Sequence, residues 1–422
     1  MRRLFAPRAA AARLAAASAL AFAPAGAEAQ SHPSLFSPGV AQRPAVRDAL
    51  GWIERNFPAQ VEEWVRITEI PAPSRQEQRR GEYVRAQMEA AGLEVSVDSI
   101  GNVVGRRRGT GGGPTIVFAA HLDTVHPIDT DVTVRRDGPV MRAPGVYDNS
   151  ASLANMLAVI RAIKEAGVRT RGDLVFIGTT QEEVGLRGMD WWLAHNPRPD
   201  MLVALDGGLG PVWYGALGIY WTRYHFTGGG SHTVTSAGKP HPARALADAV
   251  RSIYEIQVPE GRGGAVFNVG ILDGGEVFNA IPQEVSFTMD LRSVNPALLD
   301  SLDAEIERRV AAAARGQRVE WRKEVVQRIA AAGTEETLRD RRAHPLVQTA
   351  LDVHRFVGVE SEANATGSTD ANVAVTRGIP AISVGRSRGG DQHTLTEWSD
   401  VDSALPATKM VLLLAVSLAG VR

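Results

Sequence analysis

The sequence predicts an α/β protein: a mostly parallel sheet with helices on both faces, interrupted by an inserted α+β unit. Three observations carry that prediction. The runs TIVFAAH (115–121), DLVFIG (173–178) and MLVALD (201–206) are short and almost wholly apolar, as strands buried on both faces are. Segments with helical spacing alternate with these runs, which is the pattern of a parallel sheet with crossover helices. Between residues 213 and 326 the pattern changes to strands of alternating polarity, such as EVSFTMDLR, that suit a sheet open on one face. A chain of 422 residues is also long enough for two or three domains. We therefore expect one domain assembled from residues 30–212 and 327–422, with residues 213–326 inserted between its halves.

The elements follow in order. Arg2, Arg3, Arg8 and Arg13 precede an apolar run, LAAASALAFAPA (14–25), and Ala27-Glu28-Ala29 supplies an A-x-A cleavage site. Residues 1–29 are thus expected to be a signal peptide, and the protein to be exported, periplasmic or secreted. Residues 30–45 have the composition of a linker, and 46–93 carry helical spacing. LEVSVDSIGNVVGRRRG (93–109) is hairpin-like and leads into the first buried run. After Asp148, the positions Leu153, Met156, Leu157, Ile160 and Ile163 recur at helical spacing. The tandem Trp191-Trp192 is expected to pack a helix. Within the insertion, strands are expected at GIYWTRYHF, AVFNVGILDGG, EVSFTMDLR and RVEWRKEVVQR, and helices at PHPARALADAVRSIYEI and NPALLDSLDAEIERRVAAAA. A helix at 344–356, a strand at AISVG (381–385) and a C-terminal apolar helix complete the chain.

Composition excludes several classes. A formal charge of −1 offers nothing to attract nucleic acid. With no cysteine, neither a disulfide nor a thiolate metal site can form, so a bound metal must be held by His and carboxylates. The run MVLLLAVSLAGV (410–421) is too short to span a bilayer, so no membrane partner is expected once the signal is removed.

Five residues suited to metals stand just beyond apolar runs or in tight loops: His121, Asp148, Glu183, Asp206 and His393. Polar residues at the carboxyl ends of parallel strands are where open α/β sheets collect ligands. Two imidazoles and three carboxylates suit a pair of zinc-like divalent ions, with cobalt or manganese as alternatives. Two ions about 3.5–4 Å apart need a bridging ligand, for which Asp148 is the choice. One ion would take Glu183 and His393 and the other His121 and Asp206. Glu182, beside a ligand but not needed as one, is the candidate general base toward a metal-bridging water, and Asp123 is placed to orient the His121 imidazole. The isolated histidines His126, His225, His241, His344 and His354 are read as surface or packing residues.

HLDT, the GVYDN loop, QEEVG, ALDGG, GGGSH, NAIPQEVSFTMDLR, GSTDANVA and QHTLTE together resemble metallopeptidase family 20 from about residue 50 to the end. This is the group of peptidase T, carboxypeptidase G and the acetylornithine deacetylase–succinyl-diaminopimelate desuccinylase enzymes. The resemblance implies the same ligands, with Glu182 as general acid/base. It implies that the inserted unit is a lid and dimerisation domain. His232 would then reach a partner subunit's site in a homodimer and support the oxyanion. Asn279, Arg292 and the GSTD loop (Gly367–Asp370), through Gly367 and Ser368, would bind substrate. Asn149 and the DNSAS loop resemble instead the lid-less aminopeptidases of the same clan, while Asp206-Gly207-Gly208 resembles peptidase T-like members. The expected function is an exported dinuclear zinc exopeptidase acting on small peptides. The alternatives are an N-acyl-amino-acid amidohydrolase on the same scaffold and a catalytically dead binding homologue.

Overall fold

The computed structural model describes residues 33–258 and 264–422; the expected signal peptide, 1–29, lies outside them. An eight-stranded mixed sheet forms the larger part. Its central strands, Leu174–Thr179, Ile116–His121, Met201–Leu205 and Ala381–Val384, are parallel neighbours in that order. Antiparallel pairing enters only toward the edges. On one side the hairpin of Glu94–Val97 and Val103–Arg107 joins Leu174–Thr179, and on the other Val212–Trp213 pairs with Ala381–Val384.

Alternation along each central strand feeds two separate cores, the consequence of a two-residue side-chain period. Ile116, Phe118, Leu174, Phe176, Val203 and Leu205 face the helices Pro44–Thr68, Ser150–Glu165, Pro345–Phe356 and Ala404–Leu418. Val117, Ala119, Val175, Ile177, Leu202 and Ala204 face Arg187–His195 and Ala371–Thr376. Both faces are therefore covered. Trp192 is buried in the second core, while Trp191 stacks on His195 with ring centroids 4.1 Å apart. One expectation is corrected: residues 30–45 are not simply linker. Pro38–Gln42 is a short helix, Phe36 and Ala41 belong to the main core, and Phe36 also meets Phe356 edge-on.

A second sheet, fully antiparallel, has the order Ala265–Gly274, Glu284–Ser293, Gly218–Thr227, Glu320–Ile329. Its last strand runs past residue 326, where sequence reasoning ended the insertion. Two helices, Pro242–Ile253 and Pro296–Gln317, cover one face and bury Tyr224, Phe226, Phe287, Met289 and Leu291. Pro296 is tolerated at the helix start, where no backbone donor is needed, and Asn295 caps it by accepting from the Ala297 and Leu298 N–H groups at 3.1 and 3.3 Å. The other face carries Ile219, Trp221, Arg292, Gln327 and Ile329, which line a cavity shared with the larger sheet.

A small antiparallel sheet, unforeseen in the sequence, joins Arg135–Asp137 and Val140–Arg142 to Arg388–Gly390 and Trp398–Asp400. It ties the segment before Asp148 to the segment holding His393. Among the described residues, no helix is long and apolar enough to cross a membrane.

Candidate metal centre

The carboxyl ends of the central strands converge on one side of the large sheet. His121 ends Ile116–His121, Glu182 and Glu183 follow Leu174–Thr179, and Asp206 follows Met201–Leu205. Asp148 stands in the turn before the helix Ser150–Glu165, joined to Asn149 by a cis peptide. His393 sits in the loop between Arg388–Gly390 and Trp398–Asp400 with φ 64°, a left-handed conformation that a non-glycine residue adopts at a cost. Gln181, just before Glu182, is likewise left-handed at φ 55°.

All five expected ligands meet. His121, Asp148 and Asp206 offer donor atoms within 4.8 Å of one another, and so do Asp148, Glu183 and His393. Asp148 belongs to both groups. His121 Nε2 lies 3.0 Å from Asp148 Oδ1 and 3.8 Å from Asp206 Oδ2. His393 Nε2 lies 3.4 Å from Asp148 Oδ2 and 3.3 Å from Glu183 Oε2. Glu182 shares a third group with His121 and Glu183.

Electrostatics show what this crowding costs. Burial, then the neighbouring charges of Asp206, Glu183 and Asp370, hold the Glu182 carboxyl well above its ordinary range. Burial also raises Glu183 and Asp206. Asp148 goes the other way: against its burial, Arg386, His121 and His393 hold it well below the usual carboxylate range. Hydrogen bonds to Asp148 and Glu183 push His393 up to about 10. Glu183 Oε1 is buried without a hydrogen-bond partner. A divalent ion fits that unpartnered oxygen and the excess of carboxylates, since buried charges persist only when paired or bound to metal. The residues that would hold it are the five above.

Asp123 contacts both His121 and the Glu182-Glu183 turn. Its backbone carbonyl lies 3.0 Å from His121 Nδ1, and its carboxylate accepts from the N–H groups of Glu182 and Glu183 at 3.0 and 3.2 Å and from the Ser74 hydroxyl at 2.6 Å. One buried residue thus orients an imidazole through its carbonyl and pins the Glu182-Glu183 turn through its carboxylate.

The other expected site residues divide. Arg292 and Ser368 line the cavity of about 510 Å³ that opens onto Asp148, Glu182, Glu183, Asp206 and His393. The Arg292 guanidinium is held by Asp290 at 2.9–3.0 Å. Gly367 is buried; its carbonyl accepts from the Leu217 N–H at 2.7 Å, and a Cβ there would lie 3.1 Å from the Gly215 carbonyl oxygen. His232 and Asn279 are exposed and lie elsewhere. His232 pairs with Ala280 across a two-residue ladder, and the Thr233 N–H donates to the Asn279 carbonyl at 2.9 Å. His232 lines a different cavity, bounded by Arg223, Gly228–Gly230 and Glu284, so within one chain it does not join the cluster.

Sequence reasoning missed three buried groups. Glu397 closes the QHTLTE motif, and its carboxylate accepts from the N–H groups of Gly145, Tyr147 and Asp148 at 3.1, 2.8 and 2.8 Å. Asp370, whose carboxyl is raised by burial to about 7, accepts from the Thr179 hydroxyl at 2.5 Å. Arg386 contacts both Asp148 and Asp206. Its signal was present in the sequence: a charged residue closing the run AISVG, as Asp206 closes MLVAL.

Carboxylates and imidazoles crowded at the open end of a parallel sheet, beneath a second antiparallel sheet, define a metal-dependent hydrolase. The model of Peptidase family M20/M25/M40 matches residues 117–417, and the chain belongs to that family of hydrolases acting on amide bonds. Carboxypeptidase G2 of Pseudomonas sp. (strain RS-16) is 25% identical over 334 residues, covering 77% of each chain. An N-carbamoyl-L-amino-acid amidohydrolase of Pseudomonas sp. (strain NS671) is 20% identical over 403 residues, covering 81% of this chain and 90% of its own. Among solved structures, aminopeptidase PepT of Bacillus cereus superposes with a TM-score of 0.71 at 21% identity, covering 86% of this chain and 99% of its own, a likeness of fold.

Proposed function

We propose that this protein is an exported exopeptidase that uses two divalent ions, zinc by preference, to release residues from small peptides. The observation that carries this reading is Asp148, whose two oxygens face separate donor groups, His121 with Asp206 and Glu183 with His393. Bound divalent ions would polarise the scissile carbonyl and bring the ionisation of water near neutral pH. The rest falls to the chain's own residues. Glu182 takes the proton of the attacking water and passes it to the leaving amine; its raised pKa, set by burial and nearby carboxylates, suits a group that must do both. Asp123 keeps the Glu182 backbone and the His121 ring in register during that transfer. Arg292, fixed by Asp290 on the cavity wall, offers its guanidinium to a substrate carboxylate.

His232 belongs to the same proposal as a residue acting in a partner subunit, supporting the oxyanion across a homodimer formed through residues 213–326. Its exposure on the inserted unit, away from its own cluster, favours that role. Export rests on the basic and apolar start of the chain. A second reading, hydrolysis of an N-acyl or N-carbamoyl amino acid, draws on the amidohydrolase relatives, whose substrates share an amide beside a carboxylate. Zinc-loaded protein should be tested on dipeptides and tripeptides with free and blocked termini, and on N-acyl and N-carbamoyl amino acids. Turnover of free peptides alone supports the exopeptidase, and turnover of the acylated amino acids alone replaces it with the amidohydrolase. No turnover of either class by protein holding two ions would leave the catalytically dead homologue.

A further inference from the structure

Among the described residues, Arg386 is the one strong cation built into the donor cluster, and neither the metal-binding scheme nor the proton transfer uses it. It is 1% exposed and does not line the substrate cavity. Its Nη1 donates to Asp206 Oδ1 and, at 3.1 Å, to Asn149 Oδ1, while Nη2 lies 3.1 Å from Asp148 Oδ1. The guanidinium is stacked on the Tyr147 ring with 4.2 Å to its centroid, and the backbone carbonyl accepts from Asn155 Nδ2 at 2.8 Å. Gly385 brings it there: a Cβ at that position would lie 1.9 Å from the Gly208 carbonyl oxygen, so only glycine lets the chain pass directly behind Asp206. A guanidinium is not deprotonated in proteins, so Arg386 stays charged beside Asp148 and Asp206.

The placement is one-sided. Arg386 takes Asp206 by Oδ1 and leaves Oδ2 turned toward His121 Nε2, 3.8 Å away. It touches Asp148 at Oδ1, the oxygen beside His121, and not at Oδ2, which faces Gln392 and His393 at 3.1 and 3.4 Å. Glu183 has no comparable neighbour: among the described residues its only ion-pair partner is His393. A permanent positive charge therefore stands on the His121–Asp206 side of the cluster and meets the shared Asp148 only at the oxygen on that side. Such a charge partly neutralises the carboxylates before an ion arrives and repels the ion that does arrive. In a buried setting that repulsion outweighs the benefit of holding two short carboxylates, Asp206 and Asp148, in single rotamers.

We propose that Arg386 is a resident counter-cation of the metal centre, a positioning residue that keeps Asp206 and Asp148 formed without metal and makes the ion on the His121–Asp206 side the weaker-held, exchangeable one. This inference rests on the two-ion reading above.

The test compares wild type with Arg386→Met, Arg386→Gln and Arg386→Lys, in two measurements that do not depend on activity. Zinc content is followed by elemental analysis during dialysis against graded chelator, and melting temperature is taken in chelator and in saturating zinc. Wild type should release its two ions at two chelator strengths. Arg386→Met and Arg386→Gln should melt below wild type in chelator and gain more than wild type from zinc, because an ion that binds the folded state more tightly stabilises it more. Their weaker ion should be held about tenfold or more tighter. Arg386→Lys, which keeps the charge, should release zinc as wild type does. Equal losses of melting temperature with and without zinc, and an unchanged release profile, would show a packing role and overturn the proposal. Release of both wild-type ions at one chelator strength would also overturn it. If Met and Gln fold only when refolded with zinc, the proposal is supported. If they fold in neither condition, Arg386→Lys decides: a wild-type release profile supports the proposal, and a shifted one refutes it. A wild type that binds no zinc refutes the two-ion reading itself, a distinct outcome.

Discussion

Glu397→Ala should unfold the protein more easily than any exposed substitution, and the size of the effect can be worked from the structure. The Glu397 carboxylate is 1% exposed and accepts three backbone N–H groups, those of Gly145 at Oε2 and of Tyr147 and Asp148 at Oε1. A hydrogen bond to a charged group contributes about 1.5–3 kcal/mol net. The three share one acceptor group, so their losses do not sum, and we expect about 4 kcal/mol for Glu397→Ala. Glu397→Gln separates the contributions. Its remaining carbonyl oxygen can serve Tyr147 and Asp148, while its amide would face the Gly145 N–H, for a loss of about 2 kcal/mol. Equilibrium urea denaturation in chelator, followed by circular dichroism and tryptophan fluorescence, reads both values. Because Asp148 is one of the three donors, both variants should also bind less zinc at limiting metal. An Ala variant within about 0.5 kcal/mol of wild type, the range of ordinary surface changes, would refute the reasoning. So would equal losses for Ala and Gln.

Other expectations concern the reaction. Metal-reconstituted protein should contain two divalent ions per chain by elemental analysis, and activity should vanish on exhaustive chelation and return with zinc; full activity after chelation would end the two-metal reading. Glu182→Gln should keep its metal and lose about 10²–10⁴-fold or more in kcat; a variant that instead loses metal while Glu183→Gln keeps it would exchange the two roles. Arg292→Met should raise KM about 10–100-fold for substrates with a free carboxylate and little for amidated ones; equal effects on both would remove the carboxylate contact. His232→Ala should slow turnover without changing metal content, and mixing it with Glu182→Gln subunits should restore part of the activity if the residue acts across a dimer. A protein monomeric at assay concentration would exclude that role.

Much of the architecture was legible because its signals are local. The runs at 115–121, 173–178 and 201–206 announce buried strands, and they are the parallel centre of the sheet. The spacing from Leu153 to Ile163 announces the helix Ser150–Glu165. The five residues His121, Asp148, Glu183, Asp206 and His393 stood out because a charged or imidazole group at the end of an apolar run is hard to bury unaided, and the fold gathers all five.

What the sequence could not say depends on contacts between distant segments. Arg386 and Asp206 are 180 positions apart, and Glu397 and Asp148 are 249 apart, so no periodicity links them. The short helix Pro38–Gln42 hides in linker-like composition because its stability comes from Phe36 and Ala41 entering a core built elsewhere. His232 and Asn279 share a family motif pattern with the ligands, yet they sit at the exposed rim of the second sheet rather than beside the cluster. Chain composition dictates which residues must find a partner, since burial of an unpaired polar group is costly. Which partner each one finds is set only when the sheets, their crossings and the loops between them close in three dimensions.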